Sequence, residues 1–545
     1  LAFYRVRVNL SIAFFPFLAS LWGRSIIVNT YDQTYDTTNP LASEKDKGKP
    51  QIYYLHNIMP IPQGFQSIGY KQRIAPFAPG PVTNFDKAFQ LQNSNLNRFL
   101  LVPAGGLNYI YDPGVGTWIS CPFPASSGVT TSTVVSTAFI DGQTYICYAN
   151  YGIFIYDEVN KVLAPQTITG LDLSNIICIT ASNGYMLAFT QTAIAWSNQT
   201  NPLDFVPNLA TGAGGGPIQN IKGPVIFAAE ISNGFLVYCQ RNIVAASYQA
   251  NDNFPFMFAE VPGSSGIESP EDVGWQYNNG THYAWTNAGL LQINLTAAQI
   301  VFPEAADFLS ANIYEDFSDT TNQFSVQYLT TPLQVRIAFI GERYVVISYG
   351  LIGLNFTYAL VYDTGLNRWG KLKINHVHCF QWDTPPPYTF VTYGSLKNTT
   401  YGQLSNKTYG ELIVTPSEVD TSDRQTLGFL QQDGTVQIVD FDLSEAPANG
   451  TMLLGKFQLM RNRYMVHNTT DMETINESIT NFKFSIIPTL DGKTLLPPVP
   501  GVLLAEGQYS RKYGKRVAGQ NLSLLFQGGF SMGAVILEFT QQGFR

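Results

Sequence analysis

The chain has 545 residues, a formal net charge of −8 and a pI near 5.2. No Lys/Arg-rich run or basic stripe stands out that could neutralise a row of phosphates, which argues against tight phosphate binding by counterion release. Charged residues make up only 13%, about half of the roughly 25% usual for globular domains. Asn, Thr, Ser, Gln and Gly take their place, a mixture that favours strands and tight turns and starves surface helices, so the expected fold class is all-β.

Taken in chain order, Leu1 to Trp22 holds Arg5 and Arg7 and then a mostly apolar stretch broken by Ser11, Pro16 and Ser20. It faintly resembles a signal peptide and is too short to span a bilayer, which takes about 20 apolar residues; we read it as a structural, strand-rich arm. Asn29 to Lys49, with Glu44-Lys45-Asp46-Lys47, reads as an exposed loop. The arm and its first strands are assigned to 1–90.

A degenerate internal repeat follows. Leu100–Gly106 leads into Tyr109-Ile110-Tyr111-Asp112-Pro113-Gly114 and closes on Trp118; Ala359–Val361 leads into Tyr362-Asp363-Thr364-Gly365 and closes on Trp369. A weaker copy has Tyr156-Asp157, with Leu163 where the Trp would fall. This pattern describes a hairpin of a propeller blade: Asp caps the turn, Gly supplies φ > 0, and the aromatics pack between blades. Turn dipeptides Asp141-Gly142, Asn183-Gly184, Asn233-Gly234, Asn279-Gly280 and Asp433-Gly434 adjoin strand-like runs. The first four recur at about 40 to 50 residues, the length of a four-stranded blade. A six- or seven-bladed β-propeller is therefore expected over 91–445, with blades near 95–130, 131–170, 172–215, 218–265, 267–308 and 330–383 and a possible seventh element at 385–445. Cleaner alternation after 446, ending in an expected hairpin of Gln520–Phe526 and Ala534–Phe539, marks a β-sandwich-like domain over 446–545.

Chemistry is sparse along the chain. His376-x-His378 with Cys379 lacks the third and fourth ligands of a metal site and reads as a half-exposed strand. Asp112-Pro113-Gly114 with Trp118 comes near a sialidase-type Asp box, but Ile110 stands where Ser or Thr belongs. Gly529-Phe530-Ser531-Met532-Gly533 lies between strands and no His follows it, so it is not a nucleophile elbow. Gly212–Pro217 lacks the Lys-Ser/Thr of a P-loop and reads as an inter-blade loop. The five cysteines (Cys121, Cys147, Cys178, Cys239, Cys379) are scattered without a CxxC pair and several have apolar neighbours; they read as buried free thiols formed in a reducing compartment. No enzyme activity, cofactor or metal is expected. Triplets such as Asn198-Gln199-Thr200 matter only in a glycosylating cell.

Ala193–Ala195, Trp196-Ser197, then Pro202-Leu203-Asp204-Phe205, resembles a signature of the tail nozzle (tail tubular protein B) family of short-tailed bacteriophages, a family of tail hubs carrying a β-propeller. The C-terminal run Asn521–Phe526, Gly529–Met532, Ile536–Phe539 and Gly543-Phe544-Arg545 is similar to that family's closing segment. The segment Asn57–Pro60 to Gln66–Tyr70 is a weaker echo, lacking the Pro-Arg that follows Ser in the family. The resemblance implies a virion protein assembled in the host cytoplasm as a ring, usually a hexamer, below the portal and adaptor proteins. Its N- and C-terminal strands would form a platform for the adaptor and the tail fibres, and DNA would pass the lumen without tight binding. Two other readings stay open: a propeller that binds or processes carbohydrate, and a secreted interaction propeller.

Overall fold

The computed structural model describes residues 24–29, 51–76, 87–382, 426–441 and 449–544, apart from short stretches inside these ranges. The apolar stretch up to Trp22, most of the Asn29–Lys49 loop, Gly105, Gly106, Gly114 and Arg545 lie outside the described residues. The chain divides into two compact units, residues 68–316 with 325–448, and residues 1–67 with 317–324 and 449–545.

The first unit is a β-propeller built of four-stranded antiparallel meanders. Blade 1 comprises Phe89–Gln92, Arg98–Ala104, Leu107–Asp112 and Thr117–Pro122, and blade 2 comprises Val135–Ile140, Gln143–Tyr148, Gly152–Asp157 and Val162–Pro165. Blade 3 is Cys178–Ser182, Tyr185–Phe189, Ala193–Trp196 and Gly214–Pro217; blade 4 is Val225–Ile231, Gly234–Cys239, Ile243–Tyr248 and Phe256–Glu260. Blade 5 is Val273–Gly274, His282–Thr286, Gly289–Ile293 and Ala298–Ile300, followed by the short helix Pro303–Ser310. Blade 6 is Leu333–Ile340, Tyr344–Leu351, Phe356–Asp363 and Arg368–His376.

Blade 7 takes His378–Trp382, Thr426–Leu430 and Val436–Asp440, and its outer strand is Gly69–Ile74, from before blade 1. The start of blade 7 is therefore His378, not 385, and the strands Gly69–Ile74 and Phe89–Gln92 belong with the propeller, not with the arm. The reason is a ladder between chain-distant segments, Gly69 opposite Asp440 and Tyr70 opposite Val439. Lys71 and Asp440, 3.4 Å apart with side chains 1% and 0% exposed, lie on the two strands of this seam.

Apolar packing runs round the ring. Leu100, Val102 and Tyr109 of blade 1 pack with Ile74, Val377, Phe380, Leu430 and Val436 at blade 7. Blades 1 and 2 share Leu101, Ile110, Ile146 and Phe154; blades 2 and 3 share Ala138, Cys147, Ile179 and Met186; blades 3, 4 and 5 share one cluster. Tyr283 meets Phe339 at 5.1 Å between blades 5 and 6, and His376 meets Phe429 at 5.0 Å between blades 6 and 7. Two-residue left-handed turns at Asp141-Gly142 and Asn183-Gly184 match the twist of their hairpins, and blade 6 has a three-residue loop whose Gly341 and Glu342 are also left-handed, without a sequence signal.

The second unit is a two-sheet β-sandwich. One sheet orders Gln51–His56, Gly450–Phe457, Asn521–Gly528, Lys483–Thr489 and Val499–Pro500. The other contains Ile58–Ile61, Gly64–Ser67, Ser531–Phe544, Arg463–Thr474, Ser510–Gly519 and Val502–Gly507, with Arg24–Asn29 also on Ser531–Phe544. Aromatic contacts join the sheets, Phe484 to Tyr513 at 5.2 Å and Phe457 to Phe539 at 6.2 Å. The expected closing hairpin is instead an arch: Asn521–Gly528 and Ser531–Phe544 sit in opposite sheets. Ser67 captures both backbone groups of Phe530 (Ser67 N–H to its C=O at 2.9 Å, its N–H to Ser67 Oγ at 2.7 Å) and carries the chain across.

Candidate functional site: blade turns and the propeller channel

The recurring unit folds as cross-strand pairs between the third and fourth strands of its blades. Tyr111 lies opposite Trp118, Tyr156 opposite Leu163, and Tyr362 opposite Trp369. The two Tyr–Trp pairs meet at 5.5 Å and 5.0 Å between ring centroids. Each packs toward a neighbouring blade: Trp118 Nε1–H donates to Ala75 O at 3.3 Å, Tyr156 meets Phe99 at 4.9 Å, and Trp369 meets Phe302 at 5.1 Å.

Asp157 and Asp363 cap their turns, Asp157 accepting from the N–H groups of Val159 and Asn160 at 2.9 and 3.0 Å, and Asp363 from Gly365 and Leu366 at 2.9 and 3.1 Å. Asp363 is fully buried and also holds Arg343, whose Nε and Nη2 lie 3.0 and 2.6 Å from Oδ2. Asp112 accepts from Lys161 Nζ of blade 2 at 3.0 Å. Positive φ falls not on Gly365 but four residues after each Asp, at Gly116 (72°), Lys161 (57°) and Asn367 (54°). The side-chain cap folds the first part of the loop, which leaves the left-handed step for its last residue.

Trp196 is 2% exposed, donates Nε1–H to Gly212 O at 2.8 Å, and meets Phe254 and Phe256 of blade 4 at 4.8 and 6.4 Å. Buried Ser197 accepts the Met186 N–H at 2.9 Å on Oγ; buried Pro202 follows in the turn, and Phe205 enters the core of blades 2 and 3. Gly214–Pro217, expected as a loop, is the outer strand of blade 3: a Cβ on Gly214 would stand 2.9 Å from the Trp196 ring, so the missing side chain is what lets indole and strand stack. Gly543 lies in the last strand.

The first strands of all blades line a central cavity of about 480 Å³. At one end Lys87 pairs with Glu271; burial opposes ionisation of that carboxylate, and the Lys87 charge outweighs it and holds the group at about 2. Neighbouring Asp272 is pushed by burial up to about 6 and serves as a helix cap, its Oδ2 accepting from Ser269 N at 2.8 Å. At the other end three glutamines form an amide lock: Gln276 Nε2 donates to Gln381 Oε1 at 2.7 Å, Gln90 Nε2 to Gln381 O, and Glu342 N–H to Gln276 Oε1 at 2.7 Å. Glu230 of blade 4 also lines this cavity, and burial pushes its carboxyl up to about 7. The aromatic rings of Phe227 and Trp275 line the same cavity, 6.4 Å apart.

No sequence pattern marked Glu230, because its exposure to the cavity depends on blade packing. His282 is fully buried between blades 4 and 5; its Nε2–H donates to Glu230 O and its Nδ1 accepts from Tyr238 Oη, both at 2.8 Å, and burial lowers it to about 4. His376 and His378 end one blade and begin the next, so they share no strand face. His376 is wholly buried, with Nδ1 2.7 Å from Ile374 O and Nε2 2.8 Å from Ser348 Oγ, on a strand that mixes buried with half-buried and exposed positions, while His378 is half-buried. Among the described residues no group of three or more His, Cys, Asp or Glu is placed to hold a metal ion. All five cysteines are free and buried.

No family model and no curated protein matches the chain. Solved structures similar to it include the WD40 β-propeller domain of Doa1 (10% identity, 70% of this chain and 99% of that one, TM-score 0.38). YCF48 from Cyanidioschyzon merolae is another (14% identity, 68% and 98%, TM-score 0.37), as is a chain of the mitotic checkpoint complex (11% identity, 67% and 96%, TM-score 0.34). The chain is an all-β protein whose larger unit is a β-propeller.

Proposed function

We propose that the chain is a non-enzymatic structural subunit of a short-tailed phage tail, a nozzle ring that passes the genome and docks adaptor proteins and tail fibres. The observation that carries this reading is the architecture of the sandwich. Segments from before and after the propeller, 51–67 and 449–544, interleave in both of its sheets, as a platform with a propeller inserted into it requires. Low charge density and abundant Tyr and Phe suit large subunit contacts. The cavity inside one propeller is of the size that takes a small ligand, roughly 300–1,000 Å³, so a duplex would run between copies of the chain and not through a propeller. Native mass spectrometry with class-averaged images tests the reading: a ring, most simply a hexamer, with a central channel supports it.

A second reading is favoured by Glu230 lining the same cavity as Phe227 and Trp275, since a desolvated carboxyl in a cavity with aromatic walls suits a sugar ring. A monomer that binds glycans, and loses them on Glu230→Gln, would replace the first reading with this one.

A further inference from the structure

The sandwich unit carries a β-arm that the protein leaves bare. Val502–Gly507 is the last strand of its sheet among the described residues, and all six of its residues are exposed, so both of its faces meet solvent. Three consecutive apolar side chains stand there, Val502 (54% exposed), Leu503 (44%) and Leu504 (58%), and Tyr509 (54%) follows at the turn. Edge strands of solitary proteins are normally blunted by charge, proline or a covering loop; Val502-Leu503-Leu504-Ala505 carries neither charge nor proline, and Glu506 is the strand's one charge.

The arm is also charged against the rest of the chain. From Val499 to Gly519 there are four cations, Arg511, Lys512, Lys515 and Arg516, and one anion, Glu506, a net +3; with −8 overall, the remainder carries −11. Arg511 is paired with Glu506 and Lys512 lies 3.9 Å from Glu538, whereas Lys515 and Arg516 are exposed and in no ion pair among the described residues. An exposed apolar edge flanked by surplus cations fits an acidic partner surface. The N-terminal stretch cannot be that partner on charge grounds, because residues 1–23 hold Arg5 and Arg7 and no acid.

We infer that the hairpin of Val502–Gly507 and Ser510–Gly519 is an assembly arm that seats on the acidic surface of a second copy of this chain. Arm and acceptor are different surfaces, so the contact is heterologous and repeats into a closed ring when the rotation allows. The inference rests on the ring reading only in requiring a second copy.

The test uses the full chain at its highest attainable concentration and measures mass by light scattering for wild type, Leu503→Asp/Leu504→Asp and Lys515→Glu/Arg516→Glu. Circular dichroism and melting temperature verify that the exposed substitutions leave the fold intact. Expected is a multi-copy wild type that loosens in high salt, and both variants at monomer mass. Carbodiimide cross-links from Lys515 in the wild type should be intermolecular. Variants that assemble like wild type overturn the arm and leave the ring reading standing. A wild-type monomer whose arm amides exchange freely overturns the arm and counts against the ring as well. Binding of duplex DNA or phosphatidylglycerol vesicles that the charge reversals abolish, with mass unchanged, also overturns it by assigning the cations to phosphate.

Discussion

Ile74→Ala probes the closure of the propeller. Ile74 is 1% exposed, at the end of the strand that completes blade 7, in the cluster shared with blade 1. Removing three carbons forfeits about 0.8 kcal/mol each in transfer free energy, about 2.4 kcal/mol together. The cavity left among Leu100, Val102, Val377, Leu430 and Val436 adds to this, which gives about 3–4 kcal/mol, inside the range of roughly 2–5 known for such truncations. If the ring opens at this seam, the loss localises there. Amide exchange of 69–74 and 436–440 should accelerate by roughly a hundredfold or more, at tenfold per about 1.4 kcal/mol, while blade 4 amides change less. Leu236→Ala in blade 4, at a site with 0% exposure, is the internal comparison. A variant with unchanged protection at 69–74, or a uniform loss across all blades, would refute the idea that strand Gly69–Ile74 is the clasp of the ring.

Trp196→Ala should cost about 3–5 kcal/mol in urea unfolding. Gly214→Val should be destabilising through the same indole, by about 1–3 kcal/mol, since a Cβ there already stands 2.9 Å from the ring. Glu230 predicts a pH dependence. Its folded value of about 7 lies above the ordinary 4.5, so the stability it contributes is fully present below pH 4.5 and fades as pH rises through 7. Glu230→Gln should therefore raise stability at pH 8, by at most about 3 kcal/mol, and leave it little changed at pH 4.5; equal effects at both pH values would contradict the assignment. The thiols should resist a disulfide reagent in the native protein at pH 8, since burial pushes Cys121 up to about 11 and Cys147 and Cys239 up to about 12. All five should react after denaturation.

What depends on neighbours in the chain was legible from the residues alone. Strand character came from composition, the turns at Asp141-Gly142 and Asn183-Gly184 from the residues that tolerate left-handed backbone, and the registers of Tyr111 with Trp118 and Tyr362 with Trp369 from the fixed spacing across one hairpin. Tertiary structure decided the pairings between distant segments. Gly69–Ile74 reads as an ordinary alternating strand, and nothing in its pattern says that Val436–Asp440 is its partner. Asn521–Gly528 and Ser531–Phe544 look like a hairpin, because alternation fixes which face of a strand is apolar but not which sheet accepts it; the Ser67 contacts to Phe530 decide that. Gly214–Pro217 has no strand-forming side chains at all, and becomes a strand because the Trp196 indole needs the room. The position of Glu230 in the channel follows the same rule: a carboxyl is desolvated by what the ring packs around it, and that surrounding is assembled from every blade.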